Sequence, residues 1–182
     1  MNFDIVIQRN AVSLDICKAV LDLQAEEEAS VRDGVDISIR QSRVTFLHGY
    51  LRYPKLWDAL GRLVHQVNQD VYQFDLIQLE TIQLTEYDES YQGRYDNHID
   101  SRGPNPENGF HRKLSMVVQM SPGSSYEGGD LLFPTQEDYD PQQAREQGTA
   151  IIFPSHLLHA VTPVTKGHRK SLVSWVEGPA FR

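Results

Sequence analysis

Cysteine is nearly absent: Cys17 stands alone in 182 residues, so the chain cannot form an internal disulfide. That points to a reducing compartment, and a cytoplasmic location is expected. Positive charge is also scarce, with 17 Lys and Arg against 25 Asp and Glu and a net charge of −8. Such a balance opposes broad attachment to nucleic acid or anionic lipid, and neither partner is expected. No apolar run is long enough to span a bilayer, and residues 1–9 lack a cationic start leading into an apolar stretch. Neither a membrane span nor a signal peptide is therefore expected. Repeats and low-complexity tracts are missing too. What is left, 40% hydrophobic and 23% charged, suits a globular chain with one domain over 1–182. Nothing in it sets an oligomeric state.

The hydrophobic pattern changes character partway along. Ser13 is a candidate N-cap for a helix over 14–28, with Ile16, Val20 and Leu23 at helical spacing. Pro54 opens a second helix, with Leu56, Leu60, Leu63 and Val67 on one stripe and Trp57, Val64 and Val71 beside it. Between them, 35–40 and 43–47 alternate like short strands. From Phe74 onward the reading is strand at 76–86, 95–100, 113–120, 130–133, 149–153, 158–164 and 170–177, punctuated by Gly, Pro and Asn. This predicts a mainly β fold, a double-stranded β-helix or jelly roll over 73–182, supported by N-terminal helices within 1–72. Gly128-Gly129 predicts a tight turn, and the polar segments 101–112 and 135–148 are expected to rim the barrel mouth. The acidic 135–147 stretch reads as solvated surface, with docking of basic substrates as the sharper alternative.

Chemistry concentrates at four residues. In a strand through Tyr95-Asp96-Asn97-His98-Ile99-Asp100, His98 and Asp100 project from one face. His159 follows the apolar run from Phe153, and Arg169 lies ten residues further on. Two imidazoles and one carboxylate on one side of a metal leave the opposite positions open, as in non-haem Fe(II) oxygenases. The His-x-Asp triplet alone fits a solvated strand better than a metal site. Its partners at matching separations favour a metal site, and zinc would call for a fourth protein ligand. In a strand His156 and His159 face opposite ways, so only one can reach the metal; His159 is chosen because it leads into Val-Thr-Pro-Val and by its separation from Arg169. Arg169 and Ser171 share a face after the turn at Lys166-Gly167-His168, and a guanidinium with a nearby hydroxyl clamps a carboxylate. Tyr87 and Tyr95 fit packing and pocket roles equally well.

With these residues in view, the chain resembles the 2-oxoglutarate- and Fe(II)-dependent dioxygenases of the prolyl 4-hydroxylase-like branch, from about Ile77 to Phe181. The resemblance is carried by Ile82-Gln-Leu-Thr-Glu-Tyr87, Tyr95 to Asp100, Arg112-Lys-Leu-Ser115, Tyr126-Glu-Gly-Gly-Asp-Leu131, Phe153-Pro-Ser, His159-Ala-Val-Thr-Pro-Val and Gly167-His-Arg169-Lys-Ser-Leu-Val-Ser-Trp175. It implies that His98, Asp100 and His159 hold Fe(II). It also implies that Arg169 pairs with the far carboxylate of 2-oxoglutarate, with Ser171 and Tyr87 beside it. Some animal members carry a second pocket tyrosine where this chain places Gln119. The implied reaction consumes 2-oxoglutarate and O2, with ascorbate as an auxiliary reductant, and yields succinate, CO2 and a hydroxylated substrate. Proline in a peptide or protein, or free, ranks first; another small metabolite or a nucleobase is the alternative. A catalytically silent jelly-roll binding module is the reading from outside enzymology.

Overall fold

Alternation decides the architecture. Along the strand over 111–119, Leu114, Met116 and Val118 pack into one apolar cluster while Val117 packs into another. A strand buried on both faces in this way must lie between two layers. The computed structural model describes residues 5–25, 36–47 and 52–181, and the backbone of 27–28. In chain order its elements are β1 (Val6–Gln8), α1 (Leu14–Leu21), β2 (Glu27–Glu28), β3 (Arg40–Gln41), β4 (Arg43–Phe46) and α2 (Pro54–Val67). Then come β5 (Gln78–Asp88), β6 (Arg94–His98), β7 (His111–Gln119), β8 (Tyr126–Gly128), β9 (Leu131–Leu132), β10 (Ala150–Pro154), β11 (His159–Val161) and β12 (Val164–Gly178).

The strands form a large sheet, ordered β1-β10-β7-β12-β5-β4-β2 with β8 added to β12, and a small sheet ordered β3-β6-β11-β9. All pairings among them are antiparallel. This is the mainly β jelly roll expected from the strand pattern. Leu56, Leu60, Val64 and Val67 of α2 lie against Ile82, Leu84, Met116 and Ile152 on the outer face of the large sheet. Between the sheets a second cluster joins Tyr87, Val117, Ile151 and Phe153 to Leu131 and Val161.

Several boundaries differ from expectation. Ser13 does cap α1, accepting from the Ile16 amide at 3.4 Å, but the helix stops at Leu21 instead of running to 28. Long-range partners take over the backbone there. Lys170 Nζ donates to the Leu21 and Leu23 carbonyls, and the Ala25 amide donates to Glu86 at 2.8 Å. Residues 27–28 then pair with β4. Of the expected strand over 35–40, Val35 lies outside the described residues. The rest is a turn in which the Asp36 carboxylate accepts from the Ser38 amide at 2.9 Å, and only Arg40 enters a strand. Val71 belongs to a π-helical turn over Asn68–Tyr72 and is exposed, not on the α2 stripe.

The predicted turn at 166–168 is part of β12, which runs unbroken from Val164 but carries an irregular register beside β8. Gly128 and Gly129 do have positive φ, 71° and 63°, as a tight turn requires. The 135–148 loop is tied down by Arg145, which donates to the Tyr126 and Gly128 carbonyls at 2.8 Å each. Among the described residues no helix is long and apolar enough to cross a membrane.

Candidate active site

His98 ends β6 and His159 begins β11, and the two are direct cross-strand partners in the small sheet. Their ring centres are 4.1 Å apart. Asp100 reaches the same point for a different reason from the one its spacing suggested. The strand has ended at His98, and the amides of Asp100 and Ser101 both donate to the Ser155 carbonyl, at 2.9 and 2.8 Å. That bend turns the carboxylate inward, with Oδ1 3.8 Å from His98 Nε2 and Oδ2 3.5 Å from His159 Nε2. One ligand atom from each residue lies within 4.8 Å of the others.

Each imidazole is oriented by the backbone. His98 Nδ1 is 2.8 Å from the Asp96 carbonyl and His159 Nδ1 is 2.9 Å from the Leu157 carbonyl. A carbonyl only accepts, so Nδ1 carries a hydrogen in both rings and each Nε2 is the nitrogen turned to the common centre. Burial, reinforced by His159, pushes the His98 pKa down to about 4 and keeps the Nε2 lone pair free. Burial alone would raise the Asp100 pKa, but the two imidazoles and the Ser115 hydroxyl outweigh it and hold the carboxyl below its ordinary value. Ser115 donates to Asp100 Oδ2 at 2.7 Å and lies 3.0 Å from the Ser155 hydroxyl. Tyr95 stacks on His98 with ring centres 3.5 Å apart and planes 13° from parallel, and Phe153 meets His159 edge-on at 4.8 Å. Two imidazoles and a carboxylate, with no fourth ligand in the group among the described residues, suit Fe(II) with open positions better than a closed zinc site.

Arg169 faces this centre from the large sheet. It is fully buried in β12, opposite Tyr87 of β5, whose ring centre is 5.3 Å from the guanidinium carbon. Nε donates to Gln119 Oε1 at 3.2 Å, while Nη1 and Nη2 have no acceptor among the described residues. A buried guanidinium with two empty donors is costly, and the parallel pair matches a carboxylate. Gln119 thus orients Arg169 where relatives were expected to place a second tyrosine. Ser171 lies opposite Gln119 in the register, completing a patch of Tyr87, Gln119, Arg169 and Ser171. Gly129 closes against it: a Cβ there would stand 2.9 Å from both Arg169 Cδ and Val164 Cγ2.

The cleft joining the centre to this patch measures about 1210 Å³ and is lined by both sheets and by the segment after β6. On its rim Arg112 covers Trp175 at 3.7 Å, and Arg112 and Arg102 each reach Glu80 at 2.6 Å. The 101–110 loop is anchored where the Asn105 and Asn108 amides each donate to the buried Glu177 carboxylate at 2.9 Å. His156 points elsewhere, edge-on to Phe181 at 6.4 Å, and His168 lies 3.5 Å from Glu86. His48 lies outside the described residues. Motif reading did not find Ser115, although a lone hydroxyl within Leu114-Ser115-Met116-Val117 was a visible signal. Arg40 and Gly129 gave no such signal.

A family model described as the 2OG-Fe(II) oxygenase superfamily matches residues 82–177, more than half of the chain. The chain belongs to that superfamily. Members use Fe(II) with 2-oxoglutarate and O2, and the three ligands and the open Arg169 fork fit both the metal and the dicarboxylate. As a 2OG-Fe(II) oxygenase it is 38% identical over 87 residues to a PKHD-type hydroxylase of Alteromonas mediterranea, covering 46% of this chain and 38% of the relative. It is 41% identical over 78 residues to one of Thioalkalivibrio sulfidiphilus, covering 42% and 34%. The chain therefore spans well under half the length of these curated relatives. A prolyl-4-hydroxylase structure from Pseudomonas putida superposes with a TM-score of 0.74 at 20% identity, covering 97% of this chain and 94% of that one. A viral collagen prolyl hydroxylase from Paramecium Bursaria Chlorella virus-1 gives 0.71 at 18%, covering 96% of each chain. At such identities the two structures speak for the fold.

Proposed function

We propose that this chain is an Fe(II)- and 2-oxoglutarate-dependent hydroxylase whose substrate is proline within a peptide or protein, with free proline as the smaller alternative. The supporting observation is the facing of two half-built sites. Three candidate ligand atoms gather within 4.8 Å on the small-sheet side, and a buried guanidinium with two donors unfilled among the described residues sits across the cleft on the large sheet. His98, Asp100 and His159 would hold the metal. Arg169, with Ser171 and Tyr87 beside it, would hold the distal carboxylate of the cosubstrate. Iron with 2-oxoglutarate and O2 supplies the oxidising chemistry, converting a C–H bond to C–OH with release of succinate and CO2.

The protein contributes placement and exclusion. Carbonyl hydrogen bonds fix both imidazoles, Ser115 holds the carboxylate, and Gln119 sets the plane of the guanidinium. A cleft of about 1210 Å³ exceeds the volume that a free amino acid and a dicarboxylate need, which favours a peptide segment. Names of the relatives agree, since the structures of similar fold include a prolyl hydroxylase of Trichoplax adhaerens in complex with a peptide fragment. The buried free thiol of Cys17 suits the reducing cytoplasm.

An anaerobic titration of apo-protein with Fe(II) and then 2-oxoglutarate tests the reading. A visible charge-transfer band should need both additions, vanish in His159→Ala and persist in His156→Ala. In air, mass spectrometry should find one oxygen added to a proline peptide with stoichiometric succinate. Absence of the band, or oxygen transfer to a nucleobase only, would refute it.

A further inference from the structure

Arg169 is one of two arginines lining the cleft that are more than nine-tenths buried; Arg40, 8% exposed, is the other. Arg40 lies in β3, at the edge of the small sheet, directly opposite Tyr95 of β6. Its guanidinium carbon is 4.5 Å from the Tyr95 ring centre, and Tyr95 in turn stacks on His98. Nε donates to Ser42 Oγ at 2.9 Å. Among the described residues no carboxylate pairs with it.

The remaining charges of the cleft are already matched. Arg102 and Arg112 share Glu80. Asp100 faces the two imidazoles. The Asp36 carboxylate accepts from the amide and hydroxyl of Ser38, at 2.9 and 2.6 Å. A cation this buried, with no counter-ion among the described residues, is stabilised by an anion that arrives from outside the chain. The ring beneath Arg40 holds the guanidinium while leaving its edge for a two-pronged contact.

A single dicarboxylate spanning the metal and Arg169 does not fill this second position, which lies on the opposite sheet. We propose that Arg40 is a substrate-specificity residue that pairs with a carboxylate of the peptide substrate, an Asp or Glu close to the residue that is oxidised. The assignment rests on the hydroxylase reading for the identity of the occupant as substrate. Ile39, Phe46 and Ile99 line the same cleft with exposed side chains and offer apolar contact to the flanks of an extended chain. With a net charge of −8, the protein as a whole repels acidic peptides, so their recognition depends on a local cation.

The test is selection from a random dodecapeptide library on anaerobic, Fe(II)- and 2-oxoglutarate-loaded protein, followed by titration of a recovered peptide. Wild-type protein should enrich peptides containing Asp or Glu, and Arg40→Gln should not. Exchanging the acidic residue of one such peptide for its amide should weaken binding to wild type about tenfold or more and leave binding to Arg40→Gln unchanged. Arg40→Lys keeps the charge and should retain the preference, which separates lost recognition from lost folding. Enrichment of peptides without acidic residues, no enrichment at all, or equal loss from the amide exchange in both proteins would overturn the assignment. Whether the enriched peptides contain proline reports separately on the proline reading. Acidic peptides lacking proline would uphold Arg40 and reject that substrate.

Discussion

Replacing Ser115 by alanine should weaken metal binding without touching a ligand. The Ser115 side chain is fully buried in β7, and its hydroxyl donates to Asp100 Oδ2 at 2.7 Å. The acceptor is an ionised carboxylate, so the bond belongs to the charge-assisted class. Losing such a bond inside a protein costs about 1.5–3 kcal/mol. At 1.4 kcal/mol per tenfold change, that predicts Fe(II) binding weaker by about 10- to 100-fold, which matches the usual effect of removing a group that supports a metal ligand. Anaerobic Fe(II) titration at saturating 2-oxoglutarate, read from the charge-transfer band, gives the dissociation constant directly. Thermal melts of the metal-free proteins show whether the fold is retained. An Fe(II) affinity within about twofold of wild type, with the fold retained, would refute the supporting role.

Arg169→Gln removes the paired donors from the cleft. Breaking a buried charge pair costs about 3–5 kcal/mol, so the apparent affinity for 2-oxoglutarate should fall at least a hundredfold while Fe(II) binding alone changes little. Gly129→Ala should act on the same step from a distance, because its Cβ would stand 2.9 Å from Arg169 Cδ in a backbone with φ of 63°. Comparing Fe(II) and 2-oxoglutarate titrations should show the second weakened more. Glu86 gives a pH signature. Burial opposes its charge, but His168, Lys170 and the Ala25 amide lower its pKa to about 2. The folded state therefore binds its proton less readily than the unfolded chain, and the stabilisation is present above the ordinary value of 4.5 and lost as pH falls towards 2. Melting curves across that window should show wild type losing its advantage over Glu86→Gln; a constant gap would contradict the assignment.

The three residues of the candidate metal site were legible as a group because such chemistry restricts both residue type and separation, and the spacing to Arg169 favoured His159 over His156. The geometric argument for Asp100 was wrong in detail. The sequence suggested two like-facing positions in a strand, whereas the carboxylate turns inward on a bend held by the Ser155 carbonyl. Local pattern cannot reveal such partners. The end of α1 is hidden for the same reason, since Lys170 and Glu86, which take over its last backbone groups, are far along the chain. Ser171 and Tyr87 fell beside Arg169 because β12 and β5 pair without a break through those positions. Arg40 was unreadable from sequence. Its proposed role depends on burial and on the lack of a carboxylate partner among the described residues, which only packing creates.

His98 and His159 belong to the small sheet and Arg169 to the large one, so their separation is set by what fills the sandwich. Val117, Ile151 and Phe153 from one side and Leu131 and Val161 from the other make that filling. None of these needs to touch a reactant, yet together they act as a gauge block for the length of diacid that can bridge the gap. On the proposed binding mode, discrimination between 2-oxoglutarate and a homologue one carbon shorter or longer would rest on the hydrophobic interior as well as on the polar groups at either end. Phe153 packs edge-on against His159, so the filling and the candidate metal site are in direct contact.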